Sequence, residues 1–289
     1  MNTPTNTRLL LFLIIVLMFW ASAFSGVRAA LQGYTPGSLA LLRFLVASLA
    51  IAIYPGIHRV GLPSASDLRG LVLLGFIGIT VYHIAISYGE VSVTAGAASL
   101  LISSVPLFTA LLATFFLGER LRIWGWLGIA ISFAGVLLIV LGEGTALQFD
   151  PGALLVVIAA VCASLYFTFQ KPYLQRYGAL RFTAYAIWSG TCFLLVFLPG
   201  LLLELPTAPI DATLAILYLG VFPSVIAYAL WSEVLRHIPA SVVASFLYLS
   251  PVLAIFIAWV WLNEIPSPLA LIGGLIVLTG VILVNTRGR

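Results

Sequence analysis

Long apolar stretches alternate with short polar breaks along the whole chain. The breaks carry turn-forming residues such as Pro55-Gly56 and Pro199-Gly200, and none is longer than about fifteen residues. A helix needs about 20 largely apolar residues to cross a bilayer, and ten stretches have about that length. They cover about 9–28, 36–54, 69–88, 93–117, 123–141, 152–171, 182–202, 212–235, 240–262 and 268–285. The pattern predicts an all-α polytopic membrane protein with ten transmembrane helices.

The first stretch also has features of a secretory signal peptide. A short apolar run follows Arg8, and Ala21-Ser22-Ala23 resembles a cleavage site. An internal repeat in the sequence needs this stretch as a helix, and so we expect it to be a membrane span.

The last two predicted helices of each half correspond at a constant offset of 145 residues, and the offset drifts by a few residues upstream. The matched pairs are Pro106 and Pro251, Glu119 and Glu264, Gly128 and Gly273, and Gly135 and Gly280. Prolines, glycines and a glutamate matched in order indicate a repeat, whereas apolar residues would match by chance. Each half holds five predicted helices, an odd number, and so the second half enters the membrane upside down. We expect two inverted repeats, 1–145 and 146–289, as is typical of secondary transporters.

Charged residues are scarce, with 13 basic and 9 acidic side chains, or 8% of the 289 residues. Soluble domains have roughly 25% charged residues. So few charges cannot cover the surface of a soluble chain of this length. A water-soluble enzyme, a nucleic-acid-binding protein and a disordered chain are therefore excluded.

The basic residues are distributed unevenly between the predicted breaks. If the N-terminus is cytoplasmic, eleven Lys and Arg residues fall on or near the inner side and only Arg28 falls outside. Cytoplasmic loops of membrane proteins carry an excess of Lys and Arg. We therefore expect both termini in the cytoplasm and the chain in the inner (plasma) membrane of a bacterial-type cell.

Motifs of soluble enzyme sites are absent from the sequence. No phosphate-binding loop, zinc-binding H-E-x-x-H or nucleophile elbow occurs, and His58, His83 and His237 are far apart. Cys162 and Cys192 lie within apolar stretches, which gives no basis for a metal cluster. We expect no enzymatic activity, no cofactor and no metal site.

Polar and aromatic side chains recur at helical spacing on several predicted spans. Hydroxyl groups interleaved with aromatic rings suit a small zwitterionic or polar-aromatic solute, because rings give apolar and cation–π contacts and hydroxyls orient polar ends. The candidate substrate-binding residues are Trp20, Ser22, Tyr82, His83, Ser99, Ser103, Ser164, Tyr166, Tyr228, Trp231, Ser245 and Tyr248. The alternative for each hydroxyl group is a structural role, since such groups also hold transmembrane helices together.

The matched prolines, Pro106 and Pro251, fall inside the predicted fourth and ninth helices. A proline within a helix removes a backbone hydrogen bond and kinks the helix. The pair predicts either hinges, which let the two halves bend in turn, or fixed kinks that shape a cavity.

Ionisable groups within the predicted spans are candidates for function. Arg43 either reaches the interface or contacts an anionic group of the solute. His83 either carries a proton or is a hydrogen-bonded core residue. All nine acidic residues lie at or near predicted helix ends, which leaves His83 as the one buried titratable group. We therefore expect facilitated diffusion without an obligatory proton, with a proton-coupled antiporter as the alternative.

Motifs in the first, second and fourth spans occur in a recognisable order. They are Trp20-Ala21-Ser22-Ala23-Phe24 with Arg28, Pro36 followed by Arg43-Phe44, Ala97-Ala98-Ser99-Leu100-Leu101, Pro106-Leu107-Phe108-Thr109-Ala110 and Leu117-Gly118-Glu119-Arg120-Leu121. Together they resemble the ten-helix EamA group of the drug/metabolite transporter superfamily, and within it the YddG-type amino-acid exporters. The resemblance implies an exporter of amino acids or similar metabolites, with a central cavity formed mainly by helices 1, 3, 4, 6, 8 and 9.

The predicted function is export of aromatic or other neutral amino acids, or related small metabolites, by alternating access. The partners are the small solute and the lipid bilayer, with no nucleic acid, and the protein acts as a monomer or a homodimer. A channel or a lipid-handling membrane protein is the alternative from another class.

Overall fold

The computed structural model describes residues 4–54, 61–116, 122–143, 150–237 and 247–287, and the regular elements in these ranges are all helical. The helices are α1 (Pro4–Ala30), α2 (Pro36–Ile53), α3 (Ala65–Gly75), α4 (Tyr82–Gly89), α5 (Ala95–Ile102), α6 (Val105–Phe116), α7 (Ile123–Glu143), α8 (Pro151–Phe169), α9 (Lys171–Tyr177), α10 (Ala179–Leu194), α11 (Leu198–Glu204), α12 (Ile210–Val221), α13 (Ala227–His237), α14 (Ser250–Leu262) and α15 (Pro268–Arg287). Two π-helical turns, Phe76–Val81 and Phe222–Ile226, join α3 to α4 and α12 to α13.

Within the described ranges, six helical segments are long and apolar enough to cross a membrane. They are Thr7–Ala30, Pro36–Ile53, Ala65–Gly89, Pro151–Phe169, Ala179–Glu204 and Ile210–His237. Shorter apolar helices cover Ala95–Thr109, Ile123–Ile139, Ser250–Leu262 and Pro268–Val284. The prediction of an all-α polytopic membrane protein is confirmed. Helical residues occupy each of the ten predicted stretches, and the count of ten crossings stays a prediction.

The first helix, α1, packs into the bundle along one face. Its residues Leu13, Val16 and Ala21 are buried. The helix packs against α12, α13 and α14. The first apolar stretch is therefore an integral part of the folded bundle.

The backbone of each half contains one π-helical turn. Pro223 has no N–H group, and so the carbonyl of Leu219 loses the donor that a helix normally provides four residues later. The hydroxyl of Ser224 donates to that carbonyl at 2.9 Å within the turn Phe222–Ile226. The other turn, Phe76–Val81, begins 146 residues earlier, close to the offset of the sequence repeat. Turns of this kind are frequent at functional sites.

The matched prolines lie at the start of a helix, not in its middle. The fourth span is broken after Ile102, and Pro106 is the second residue of α6. Pro251 is likewise the second residue of α14, after a 3₁₀ turn at Leu247–Leu249. A proline fits the first turn of a helix because the N–H groups there have no partner within the helix. The expectation of mid-helix prolines is therefore corrected.

Matched glycines bring α7 and α15 close together in antiparallel order. A Cβ atom added to Gly128 would lie 2.7 Å from the carbonyl oxygen of Gly280. One added to Gly135 would lie 2.6 Å from the carbonyl oxygen of Gly273. The structure packs these glycines within the chain.

A methyl group at Gly135 should destabilise this helix pair. In Gly135→Ala the two backbones must separate to admit the new Cβ atom, and overpacking of this kind costs about 1–3 kcal/mol. We expect a lower midpoint of thermal unfolding in detergent. Gly61→Ala is the matched control, because no atom lies within 4 Å of a Cβ placed there. Equal midpoints for the two variants would contradict the close packing.

Candidate solute-binding cavity

A cavity lies in the middle of the bundle, with α1, α2, α4, α5, α8 and α13 among the elements around it. The volume of the cavity that the centre of a water molecule can occupy is about 80 Å³. By this measure one water molecule needs about 10–15 Å³, and so the cavity holds several waters or part of a small solute. Its described lining consists of Trp20, Ala23, Phe24, Val27, Arg43, Gly78, Tyr82, His83, Ile86, Glu90, Ser99, Ile102, Ser103, Val105, Ala163, Tyr166, Phe167, Tyr228, Leu247 and Ser250.

One wall of the cavity is aromatic. Trp20 stacks on Phe167 with ring centroids 6.0 Å apart and meets Tyr228 edge-on at 5.7 Å. The ring of Tyr166 adjoins those of Phe167 and Tyr228, at 5.9 and 6.1 Å. Trp20 Nε1 donates to the carbonyl of Pro223 at 3.2 Å, which ties the indole to the π-helical turn. Rings held in this way present a rigid apolar surface to a solute.

His83 lies against this wall and links the two halves of the chain. Its Nε2 atom is 3.3 Å from the hydroxyl oxygen of Tyr228. Its ring centroid is 4.5 Å from that of Phe44 and 4.6 Å from that of Tyr82. Its Nδ1 atom and the hydroxyl of Tyr166 have no hydrogen-bond partner in the part of the chain that the structure describes. Because buried polar atoms are normally paired, these two atoms are available to a solute.

Arg43 contributes a buried positive charge to the cavity, with 3% of the residue exposed. Its Nε atom donates to Ser224 Oγ at 2.7 Å, and its guanidinium carbon is 5.6 Å from the ring centroid of Phe44. Ser224 accepts this bond while donating to the carbonyl of Leu219. The π-helical turn that Pro223 produces therefore also orients the guanidinium group.

Glu90 adds a buried carboxyl group at the end of α4. The residue is 0% exposed, although it directly follows Gly89, the last residue of that helix. Neither of its carboxyl oxygens has a hydrogen-bond partner among the described residues. The expectation that His83 is the one buried titratable group is wrong, because α4 ends inside the protein, beneath a covering ion pair.

That ion pair joins Arg28 and Glu264. Arg28 Nη2 is 2.7 Å from Glu264 Oε1, and Arg28 Nη1 donates to the backbone carbonyl of Glu90 at 2.7 Å. Glu264 also accepts from the backbone N–H of Ala95 at 3.4 Å. On the far side is a wider depression, whose lining includes Arg28, Glu264 and Glu204. The pair therefore ties α1 to the start of α5 and to Glu264, which lies two residues after the end of α14.

Most of the predicted substrate-binding residues that the structure describes line the cavity. These are Trp20, Tyr82, His83, Ser99, Ser103, Tyr166 and Tyr228. Ser245 lies outside the described residues, as does Glu119 of the repeat, and for Tyr248 the description covers the backbone alone. Participation of the lining residues in binding stays a prediction.

Two predicted serines, Ser22 and Ser164, do not line the cavity. Ser22 Oγ is 2.6 Å from the hydroxyl oxygen of Tyr218 and so links α1 to α12. Ser164 Oγ donates at 2.9 Å to the carbonyl of Val105, at the break between α5 and α6. Both hydroxyl groups are used in helix packing, which is the structural role that membrane hydroxyl groups commonly have. The sequence does not distinguish this role from solute binding.

Trp231, also predicted as a binding residue, is buried behind the aromatic wall. Its ring centroid is 4.9 Å from that of Trp20 and 5.3 Å from that of Phe167. It supports the wall without lining the cavity. The helical spacing correctly predicted that Trp231 faces the interior. The rings of Trp20 and Phe167, which line the cavity, lie against it.

Lining residues outside the predicted set include Phe24, Phe167, Arg43 and Glu90. Phe24 follows Trp20 by four residues and therefore lies on the same face of α1. Glu90 follows His83 by seven residues, which also places it on the same face. Helical spacing could therefore have identified Phe24 and Glu90 as lining residues, but it gave no information about the burial of Glu90.

A model of the EamA-like transporter family matches the chain twice, over residues 7–141 and 150–286. The chain is 43% identical over 267 residues to an uncharacterized transporter of Bacillus subtilis, YdfC, covering 92% of this chain and 87% of that protein. It is 41% identical over 276 residues to a probable terminal-alkyne amino-acid exporter of Streptantibioticus cattleyicolor, covering 95% and 92%. An uncharacterized inner membrane transporter of Escherichia coli, YedA, is 25% identical over 249 residues, covering 85% and 80%.

The fold also has a counterpart among solved structures. A crystal structure of a protein that is 22% identical matches with a TM-score of 0.62 and covers 96% of each chain. The two family matches together span most of the chain, and the two nearest of the relatives above cover more than nine-tenths of it. The chain therefore belongs to the EamA-like transporter family, in the drug/metabolite transporter superfamily, and is a multi-pass transporter of the inner membrane.

Proposed function

We propose that this transporter exports aromatic or other neutral amino acids, or related small metabolites, by alternating access. The observation that carries the proposal is a buried guanidinium group that faces the same cavity as a rigid aromatic wall. The 41% identical relative, which is named a probable amino-acid exporter, supports the same class of solute.

The groups that line the cavity suit the chemical parts of an amino acid. The guanidinium of Arg43 has the planar donor geometry that a carboxylate accepts. The rings of Trp20, Phe167 and Tyr228 form an apolar surface for an uncharged side chain. The free Nδ1 atom of His83 adds a polar contact beside that surface. A neutral side chain is favoured over a charged one because the wall offers it no counter-charge.

Two inverted repeats of five helices, 1–145 and 146–289, provide the alternation in this proposal. Three findings support them. The family model matches each half, the π-helical turns recur at nearly the same offset, and α7 and α15 pair antiparallel through matched glycines. Halves related in this way exchange conformations, which opens a central site first to one side and then to the other.

Ten membrane crossings and cytoplasmic termini follow from the same proposal. The ion pair of Arg28 and Glu264 then covers the outer end of the cavity. A single chain surrounds the cavity, and so one copy suffices for transport, whether or not copies associate in the bilayer.

A channel or a lipid-handling protein is the competing class. Saturable counterflow in proteoliposomes, measured with labelled aromatic and neutral amino acids, separates the classes. We expect saturation and competition between soluble amino acids. Unsaturable flux would indicate a channel. Lipid movement that soluble solutes do not inhibit would indicate a lipid-handling protein.

Removal of a ring from the aromatic wall should weaken transport. Trp20 contacts Phe167, Tyr228 and Trp231, and each aromatic pair contributes about 0.5–1.5 kcal/mol. We therefore expect Trp20→Ala to lower counterflow about tenfold or more at equal expression. Trp259→Ala is the matched control, because 52% of Trp259 is exposed on the outside of the bundle. Equal transport by the two variants would contradict the assigned wall.

The matched prolines, as proposed hinges, should affect turnover more than binding. Pro106→Ala restores a backbone N–H and allows α5 and α6 to continue as one helix. We expect a lower maximal rate of counterflow with little change in solute affinity, and the same for Pro251→Ala. Pro268→Ala, at the first residue of α15, is the control. Unchanged turnover in both hinge variants would leave the prolines as fixed elements of shape.

Facilitated diffusion remains the predicted mode of energy coupling. We expect that a pH gradient, imposed across proteoliposomes at zero membrane potential, will not drive accumulation of the solute. The proton-coupled alternative depends on a buried titratable group, and the structure offers Glu90 in addition to His83. Uphill accumulation that is lost in Glu90→Gln or His83→Ala would assign proton-coupled antiport.

A further inference from the structure

Among the described residues, no hydrogen bond or ion pair of the Glu90 side chain accounts for its buried position. It is fully buried, it lines the cavity, and both of its carboxyl oxygens are without a hydrogen-bond partner among the described residues. A buried carboxyl group without partners is costly in an apolar interior. An ionisable group kept inside a membrane protein at such a cost is a candidate for function.

The charged groups around Glu90 are already engaged elsewhere. Arg28 pairs with Glu264 and donates to the backbone carbonyl of Glu90, not to its side chain. Arg43 donates to Ser224. Among the described residues, therefore, neither arginine forms an ion pair with the carboxyl group.

The nearby neutral polar groups do not satisfy the carboxyl group either. His83 Nε2 faces the hydroxyl of Tyr228. Tyr82, which also lines the cavity, packs edge-on against the His83 ring. Among the described residues, the two oxygens of Glu90 thus remain acceptors without a donor, in a residue that lines the cavity.

We propose that the carboxylate of Glu90 is the binding subsite for the ammonium group of the transported solute. The inference rests on the proposed function and extends it from a carboxylate-binding cavity to one that recognises both ends of a zwitterion. An ammonium group supplies three N–H donors, and the Glu90 carboxylate supplies two oxygen acceptors. A bound ammonium group would therefore donate to the two carboxyl oxygens of Glu90 that have no donor among the described residues.

The second charge of the cavity completes this recognition. Arg43 on α2 and Glu90 after α4 both line the cavity, and α2 packs against α4. Among the described contacts they form no ion pair with each other, and so neither group compensates the other. A solute with an amine and a carboxylate fits both groups, whereas a solute with one of them leaves a buried charge uncompensated.

Direct binding to the purified protein tests the subsite with three probes that share one aromatic ring. They are phenylalanine, phenethylamine and phenylpropanoate, the last of which lacks the amine. Hydrogen bonds to charged groups are strong enough that loss of the ammonium contact should weaken binding about ten- to hundredfold. We expect wild-type protein to bind phenylalanine more tightly than phenylpropanoate by that factor.

The variant Glu90→Gln removes the charge and nearly preserves the shape. We expect its affinity for phenylalanine to fall about ten- to hundredfold, to that for phenylpropanoate, which itself stays unchanged. Binding of phenethylamine should weaken by the same factor. Glu90→Asp keeps the carboxylate and should retain part of the preference for the amine. Glu233→Gln is the control, because Glu233 forms a partly exposed ion pair with Arg236 away from the cavity lining.

The outcomes separate this inference from the proposed function. If Glu90→Gln keeps the wild-type preference for the amine, the subsite is overturned while amino-acid transport stands. If Glu90→Gln weakens phenylpropanoate and phenylalanine equally, Glu90 shapes the cavity and the subsite is also overturned. If the wild-type protein neither binds nor exchanges any amino acid in counterflow, both proposals fail. A melting temperature measured for each variant identifies loss of binding that comes from loss of folding.

Discussion

Hydrogen bonding of the backbone is the constraint on which the rest of this structure depends. In a bilayer no water is present to pair with an exposed carbonyl or N–H group, and so helices are interrupted only where the protein itself supplies partners. The chain has interruptions at Pro223 and between α5 and α6. In both places serine hydroxyl groups donate to carbonyls at the interruption: Ser224 to Leu219, and Ser104 to Leu101.

These repaired interruptions also build the cavity. Ser224 can accept from Arg43 because it is held at the π-helical turn, and Trp20 donates to the carbonyl of Pro223 in the same turn. The guanidinium and the indole are therefore positioned by one irregularity in α12–α13. A regular helix there would pair its own backbone groups and would leave neither side chain with that anchor.

The charged groups in and beside the cavity divide into two kinds. Arg28 and Glu264 are partly exposed and pair with each other, and Arg28 also donates to the backbone carbonyl of Glu90. Arg43 and Glu90 lie in the cavity itself and do not satisfy each other among the described contacts. A paired buried charge is explained by its partner, whereas an unpaired one needs a ligand or a proton. This difference is why the cavity, and not the covering pair, is interpreted as the binding site.

The sequence alone determined the membrane class, the positions of the helical stretches, the family and most of the aromatic wall. Those properties depend on local hydropathy, on spacing along one helix and on motifs, all of which are visible in a linear chain. Trp20, Tyr166 and Tyr228 were found in this way, and so was the correspondence in the repeat of Gly128 with Gly273 and of Gly135 with Gly280.

Only the tertiary structure decided what the polar groups contact. Ser22 and Ser164 look the same in sequence as Ser99 and Ser103, but their hydroxyl groups turn to Tyr218 and to Val105, on other helices. Glu90 stands at a helix end, where a carboxylate is normally solvated, and it is buried because Arg28 and Glu264 close over it. Residues distant in the chain determine which group a hydroxyl contacts and whether a helix end is buried. The local sequence pattern therefore predicts neither property.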